Sequence, residues 1–323
     1  TGYALGRGAP AFALLHTTAG LGNAVSALAT ARVNRAPLVV MVGQQDRRHL
    51  AQEPFLAGRL DGLAGEYPVS VEQPVRPQEL PGTIGRAWHA ATTRRGPAIV
   101  VVPMDDWLAP AADEGDQPAA AGTVLRAAAA DPAAVDALVA LLESAERPAL
   151  VVGAAADGQR AWDALVELAE RLDAPVWQEA FTARAGFPQD HPRFAGHLPS
   201  DRARLREVLE PYDAVLVVGA PAFRQYAFAP GPFYGPGTRV AVITDDPDEA
   251  HRSAAELVVL APVAATCEAL VDRLAARGDT SSAAVFEPPP APAATDGPLT
   301  SAHVFSAVAR RLPGAGLVAH SDR

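Results

Sequence analysis

Lysine is absent from the 323 residues, and all 27 basic residues are arginine. That removes chemistry built on an ε-amine: Schiff-base catalysis, pyridoxal phosphate held on a lysine, and the P-loop of NTPases. Cysteine occurs once, so Cys267 cannot form an internal disulfide, which fits a reducing, cytoplasmic setting. No apolar run approaches the roughly 18 residues of a membrane span, so a soluble chain with no membrane partner is expected. Acidic residues outnumber basic ones and leave a formal charge of -10. Without clustered basic residues, such a chain is not expected to bind nucleic acid or an anionic membrane. Neither Gly-x-Ser-x-Gly nor His-Glu-x-x-His occurs, which speaks against an α/β-hydrolase and a zincin.

What is present is the composition of a core-forming protein, with 49% hydrophobic and 20% charged residues. The length predicts two domains and part of a third. Short β-branched runs alternate with helical patterns. Residues 11–15, 38–42 and 98–102 read as strands, separated by helices over 21–33 and 81–93. Residues 149–152, 175–177, 214–218, 240–243 and 257–260 read as the strands of a second unit, with helices between them. Continuous apolar strands separated by helices predict parallel sheets covered on both faces, hence an α/β protein of two doubly wound domains. The expected boundaries are a first domain over 1–110, a linker over 111–130, a Rossmann-like domain over 131–278, and over 279–323 a proline-rich linker and the start of a third domain. The chain opens at Thr1 inside what reads as structure and stops soon after Gly316-Leu317-Val318, so both ends look like cuts within a longer protein.

Gly20-Leu21-Gly22-Asn23-Ala24-Val25 follows a strand and opens a helix. Read as a dinucleotide fingerprint it lacks the third glycine, which Val25 replaces, and no acid ends the next strand to hold a ribose. Two readings stay open beside it: a tight turn that needs small residues, and a helix N-terminus that a flat or anionic group can approach. His16 stands where the first strand gives way to this turn, the place where open α/β sheets bind ligands. There an imidazole can orient a carboxylate or shuttle a proton near neutrality. The alternative is a core histidine satisfied by a backbone carbonyl. The remaining histidines show no metal-ligand spacing, and His191 and His197 read as loop residues. Asp245-Asp246-Pro247-Asp248-Glu249 reads as a strand-end turn opening a helix, and Asp105-Asp106 as another strand-end turn.

Three blocks carry a resemblance: Pro10–Ala24 around Leu15-His16-Thr17-Thr18, Ala36–Gln45 ending in Gly43-Gln44-Gln45, and Gly96–Pro103 followed by Asp105-Asp106-Trp107. Together they resemble the pyrimidine-binding domain of thiamine-diphosphate-dependent 2-oxo-acid decarboxylases and carboligases, and of the benzoylformate-type decarboxylases in particular. The second unit is similar to the central domain of the same family, through Arg147-Pro148-Ala149, residues 190–197, Gly219–Arg224 and Gly235-Pro236-Gly237-Thr238. The resemblance implies a lyase with thiamine diphosphate and Mg²⁺ as cofactors and a small 2-oxo acid as substrate. It also implies a homo-oligomer, a dimer or tetramer, because in this family the cofactor lies between subunits.

Carried over by position, the resemblance makes His16 an active-site histidine. It places Thr18, Gly20 and Asn23 near the cofactor's pyrimidine, and Phe55, Leu56 and Tyr226 at the substrate pocket. The family's activating glutamate would lie before Thr1, and its Gly-Asp-Gly diphosphate segment after Arg323. A second family histidine is replaced here by Tyr226, and a phenol, with an ordinary pKa of about 10, is a poor proton shuttle at neutrality. Benzoylformate itself is therefore in question as the substrate. The alternatives are an acetolactate-synthase-like carboligase, a central domain that holds a nucleotide, and a non-catalytic family member.

Overall fold

A computed structural model describes residues 1–110, 129–182, 184–277, 292 and 297–311. The chain divides into two compact units, Thr1–Arg126 and Ala127–Arg323. Most of both expected linkers, together with His320 and Gly316–Val318, lies outside the described residues.

The first unit runs α1 (Gly2–Arg7), β1 (Ala11–His16), α2 (Thr17–Val33), β2 (Leu38–Gln44), β3 (Ser70–Glu72), α3 (Leu80–Arg94) and β4 (Pro97–Pro103). Its sheet is parallel throughout, in the order β1-β2-β4-β3. Strand periodicity assigns the two faces. Ala11, Ala13 and Leu15 point to the side where Leu21, Leu28 and Ala31 of α2 pack with Val40, Val42, Ile99 and Val101. On the other side Ala87 and Ala91 of α3 cover Val39, Ala98, Val100 and Val102. That cover lies over β2, β3 and β4. The alternate residues of β1 stay outside it: Phe12 is 55% exposed, touching Trp88 of α3 at a ring separation of 5.8 Å, and Leu14 is 73% exposed. Hence the terminal strand β1 is covered on one face and open on the other.

The second unit runs α4 (Pro132–Glu143), β5 (Pro148–Val152), α5 (Gln159–Leu172), β6 (Val176–Gln178), β7 (Phe194–His197), α6 (Arg202–Leu209), β8 (Ala214–Val218), β9 (Arg239–Thr244), α7 (Pro247–Arg252), β10 (Leu257–Leu260), α8 (Val263–Arg273) and α9 (Ser301–Arg311). Its six parallel strands are ordered β10-β9-β8-β5-β6-β7. Asp131 caps α4, accepting from the Ala133 N–H at 3.1 Å, and Pro132 takes the first helical position. The sheet separates two apolar clusters. One is centred on Leu138, Leu165, Leu168 and Leu270 from α4, α5 and α8, the other on Leu205, Leu209 and Phe223.

In a doubly wound sheet the crevice for a nucleotide opens where strand order reverses, here between β5 and β8. Three loops meet there. A Cβ on Gly153 would lie 2.4 Å from that of Ala220, one on Gly219 2.6 Å from the Ala156 nitrogen, and one on Gly186 2.8 Å from the Gly153 oxygen. The three loops therefore approach one another closely at this point, which is why glycine stands at each position.

Some elements differ from the sequence reading. α2 begins at Thr17, directly after β1, where Thr17–Gly20 reads as a turn. The brief strand β3 and helix α1 carry no sequence signal of their own, and His197 lies in β7 rather than in a loop. β7 is four residues long and includes Gly196, so neither length nor β-branching marks it.

Candidate active site

The carboxyl ends of β1, β2 and β4 enclose a cleft of about 360 Å³. Leu14 to Thr17 form one wall, Gly43 to Gln45 the floor, and Val102, Met104 and Trp107 the opposite wall. Parallel pairing brings these residues together. His16 is opposite Gly43 in the register of β1 and β2, and Gly43 is opposite Val102 in that of β2 and β4. His16 is exposed and contributes to the cleft, so it is not a core histidine tied to a carbonyl.

Thr17 joins strand to helix without an intervening residue. It does so with φ of 50°, in the left-handed region that a β-branched side chain rarely adopts. Its residue is 2% exposed, and its Oγ1 is buried with no hydrogen-bond partner. A buried hydroxyl without a partner is destabilising by about 1–3 kcal/mol. Two unfavourable features thus fall on the residue beside His16.

The wall made by Met104 and Trp107 is anchored through the carboxylates between them. Arg47, just past β2, donates from its N–H to Asp105 Oδ1 at 3.1 Å and from its guanidinium to Asp105 Oδ2 at 3.0 Å. The same guanidinium binds both oxygens of Asp106 and reaches the Pro74 carbonyl at 3.1 Å. The Asp106 side chain is fully buried. Burial pushes the Asp105 carboxyl up, but the N–H and guanidinium of Arg47 outweigh it and hold the group below its ordinary value. The Arg47 guanidinium is in turn raised, mainly by Asp106.

The residues assigned by position fall in different places. Thr18 directs its hydroxyl to the Leu56 carbonyl at 3.4 Å. Gly20 packs closely, where a Cβ would lie 3.3 Å from the backbone carbon of Leu15, whereas Gly22 faces open space. Asn23 is exposed on α2 and does not line the cleft. Phe55 and Leu56 lie on a segment bound to Gln45 and Thr18, beside the cleft rather than in its lining.

Tyr226 belongs to the second unit, 87% exposed on the loop after β8, with its N–H bonded to the Ser200 carbonyl at 3.3 Å. That loop is rooted by Arg224, which makes a two-pronged pair with the buried Glu179 at 3.0 and 2.6 Å. No sequence pattern links Glu179 to Arg224.

Other candidates resolve as structure. Asp246 caps α7 by accepting from the Asp248 N–H at 2.8 Å, and Glu249 accepts from Thr244 Oγ1 at 2.8 Å, as a strand-end turn opening a helix requires. Cys267 is fully buried and its thiol is pushed up to about 12, which removes it as a nucleophile. Among the described residues no group of three His, Cys, Asp or Glu side chains could hold a metal, and no helix is long and apolar enough to cross a membrane.

An open parallel sheet with an apolar cleft at its carboxyl edge, followed by a second doubly wound unit, defines a ligand-binding α/β protein of two sheet domains. Residues 1–63 match the family model "Thiamine pyrophosphate enzyme, N-terminal TPP binding domain" and residues 135–270 match "Thiamine pyrophosphate enzyme, central domain", together more than half of the chain. The chain belongs to the thiamine pyrophosphate enzymes.

Benzoylformate decarboxylase of Pseudomonas aeruginosa is 36% identical over 312 residues, 95% of this chain and 58% of the relative. The sulfoacetaldehyde acetyltransferase of Rhodobacter capsulatus is 29% identical over 72% of this chain and 38% of its own. Among solved structures, the thiamine diphosphate-dependent 4-hydroxybenzoylformate decarboxylase of Rhodococcus jostii RHA1 superposes with a TM-score of 0.87 at 36% identity, over 97% of this chain and 59% of that one. Benzoylformate decarboxylase of Polynucleobacter necessarius gives 0.84 at 29% identity. The chain therefore spans about three-fifths of the length of these decarboxylases.

Proposed function

We propose that this chain forms part of a thiamine-diphosphate-dependent decarboxylase of 2-oxo acids of the benzoylformate type, with His16 in its active site. The observation that carries the reading is the exposed His16 at the strand end, in a cleft lined mainly by apolar side chains. Leu14, Val102, Met104 and Trp107 suit a flat heteroaromatic ring, and the Gln44 and Gln45 side chains border it with amides. No cationic residue lines the cleft, so the charge of the diphosphate, with Mg²⁺, would be met by other groups.

Bound thiamine diphosphate supplies the electron sink for the carbanion that loss of CO₂ leaves behind. The chain's own part is binding, orientation and proton handling. The His16 imidazole, held at the end of a paired strand, can donate a hydrogen bond to the substrate carboxylate and then hold or deliver a proton at the reacting carbon. Trp107 and Met104 would keep water from that side of the cleft. A homo-oligomer, a dimer or tetramer, belongs to the same reading through the family resemblance, and a cytoplasmic setting fits the single cysteine.

The test is cofactor titration of the full-length protein with thiamine diphosphate and Mg²⁺, followed by CO₂ release from benzoylformate, 4-hydroxybenzoylformate and pyruvate. His16→Ala is expected to lower turnover by about 10²–10⁴, the range for a lost acid–base group, with the fold kept. Acetolactate formation from pyruvate in the same assay would favour the carboligase reading. Absence of cofactor binding would favour a non-catalytic family member.

A further inference from the structure

Two side chains at the end of β2 and one from the first turn of α2 converge on the carbonyls of one short segment. Gln44 Nε2 donates to the Gly58 carbonyl at 3.0 Å and Gln45 Nε2 to the Phe55 carbonyl at 2.9 Å. The Thr18 hydroxyl reaches the Leu56 carbonyl between them at 3.4 Å. Gln45 also donates its own N–H to Gln44 Oε1 at 2.8 Å, which fixes the end of the Gln44 amide that faces Gly58. Position 58 suits this arrangement, because a Cβ there would lie 2.2 Å from Thr18 Oγ1.

Besides these ties the segment has one internal bond, from the Ala57 N–H to the Pro54 carbonyl, and half-buried Leu56 and Ala57. Leu56 has φ of 65° and Glu53 φ of 50°, both in the left-handed region. Phe55, its largest side chain, is 87% exposed and anchors nothing by burial. The segment is therefore positioned by polar ties from the floor of the cleft, and Gln44 and Gln45 are themselves lining residues. The backbone that carries Phe55 is thus fixed from the cleft's floor, beside its lining.

We propose that Gln44, Gln45 and Thr18 are positioning residues: they clasp the Phe55–Gly58 segment against the rim, and the segment so held selects 2-oxo acids by the size of their side chains. This rests on the decarboxylase reading and adds residues that set its specificity.

The test uses Gln45→Ala and the near-isosteric Gln45→Glu, which keeps the shape and removes the donor, in the holoenzyme. The first readout needs no turnover. The Ala57 N–H, bonded to the Pro54 carbonyl at 2.8 Å, reports opening of the segment by hydrogen exchange. Its exchange is expected to rise about 5- to 10-fold in both variants, as for one lost hydrogen bond. Chymotryptic cleavage after Phe55 should rise in parallel. The second readout is the ratio of kcat/KM for benzoylformate to that for pyruvate, expected to shift by about fivefold as the rim yields. Unchanged exchange overturns the clasp, and faster exchange with an unchanged ratio overturns its role in selection. If the parent enzyme turns over no 2-oxo acid, the decarboxylase reading fails, while the exchange rates still decide on the clasp.

Discussion

Thr17 combines a left-handed backbone, a β-branched side chain and a buried hydroxyl without a partner, next to the one histidine that faces the cleft. Glycine at that position would relieve the backbone, by about 1–2 kcal/mol, and remove the lone hydroxyl. It would lose one buried methyl group and gain chain entropy in the unfolded state, together about 2 kcal/mol. Thr17→Gly is expected to stabilise the protein by a net of about 1 kcal/mol in urea denaturation while lowering turnover, because His16 loses its fixed direction. A variant that is both less stable and fully active would contradict this. His16 is legible in the sequence because a histidine at a strand end preceding a glycine turn stands out by position. Thr17 is not, since residue type does not reveal φ. Gln44, Gln45, Asp105 and Asp106 stand in readable motifs, but their partners come from segments that only the fold brings near.

At the scale of elements, the turns after β2 and β4 are joined through Arg47, Asp105 and Asp106. Removing the guanidinium leaves the buried Asp106 carboxylate without its cation, so Arg47→Ala is expected to destabilise by about 3 kcal/mol, read from the denaturation midpoint. Replacing Arg47 and Asp106 together with apolar residues of similar size should recover most of that loss. The pH dependence has a fixed sign. The Asp105 carboxyl ionises at lower pH folded than unfolded, so its contribution is complete above the unfolded value of about 4 and declines as pH falls through the folded one. The stability difference between the parent and Asp105→Asn should therefore shrink on acidification from about pH 5 to about pH 3.

Long apolar strands such as β4 and β8 and the helices α4, α5 and α8 are legible because burial on both faces leaves a continuous pattern. The short strands β3 and β7 escape, because three or four residues carry no period. The start of α2 escapes because Thr17–Gly20 has turn-forming residues that sheet packing overrides.

Across the whole molecule, the chain divides into two compact units, Thr1–Arg126 and Ala127–Arg323. The second unit encloses its own apolar clusters on both faces of its sheet. Residues 129–277 alone are therefore expected to fold and to unfold in a single cooperative thermal transition, followed by circular dichroism. A broad, probe-dependent transition would show that this unit needs the rest of the chain.

The first unit carries a different consequence. Among the described residues β1 is the outermost strand of its sheet, and Phe12 and Leu14 leave an oily flank more than half exposed on one face. Whatever packs on that flank must bring apolar side chains to match it, whether it is further chain or a neighbouring subunit.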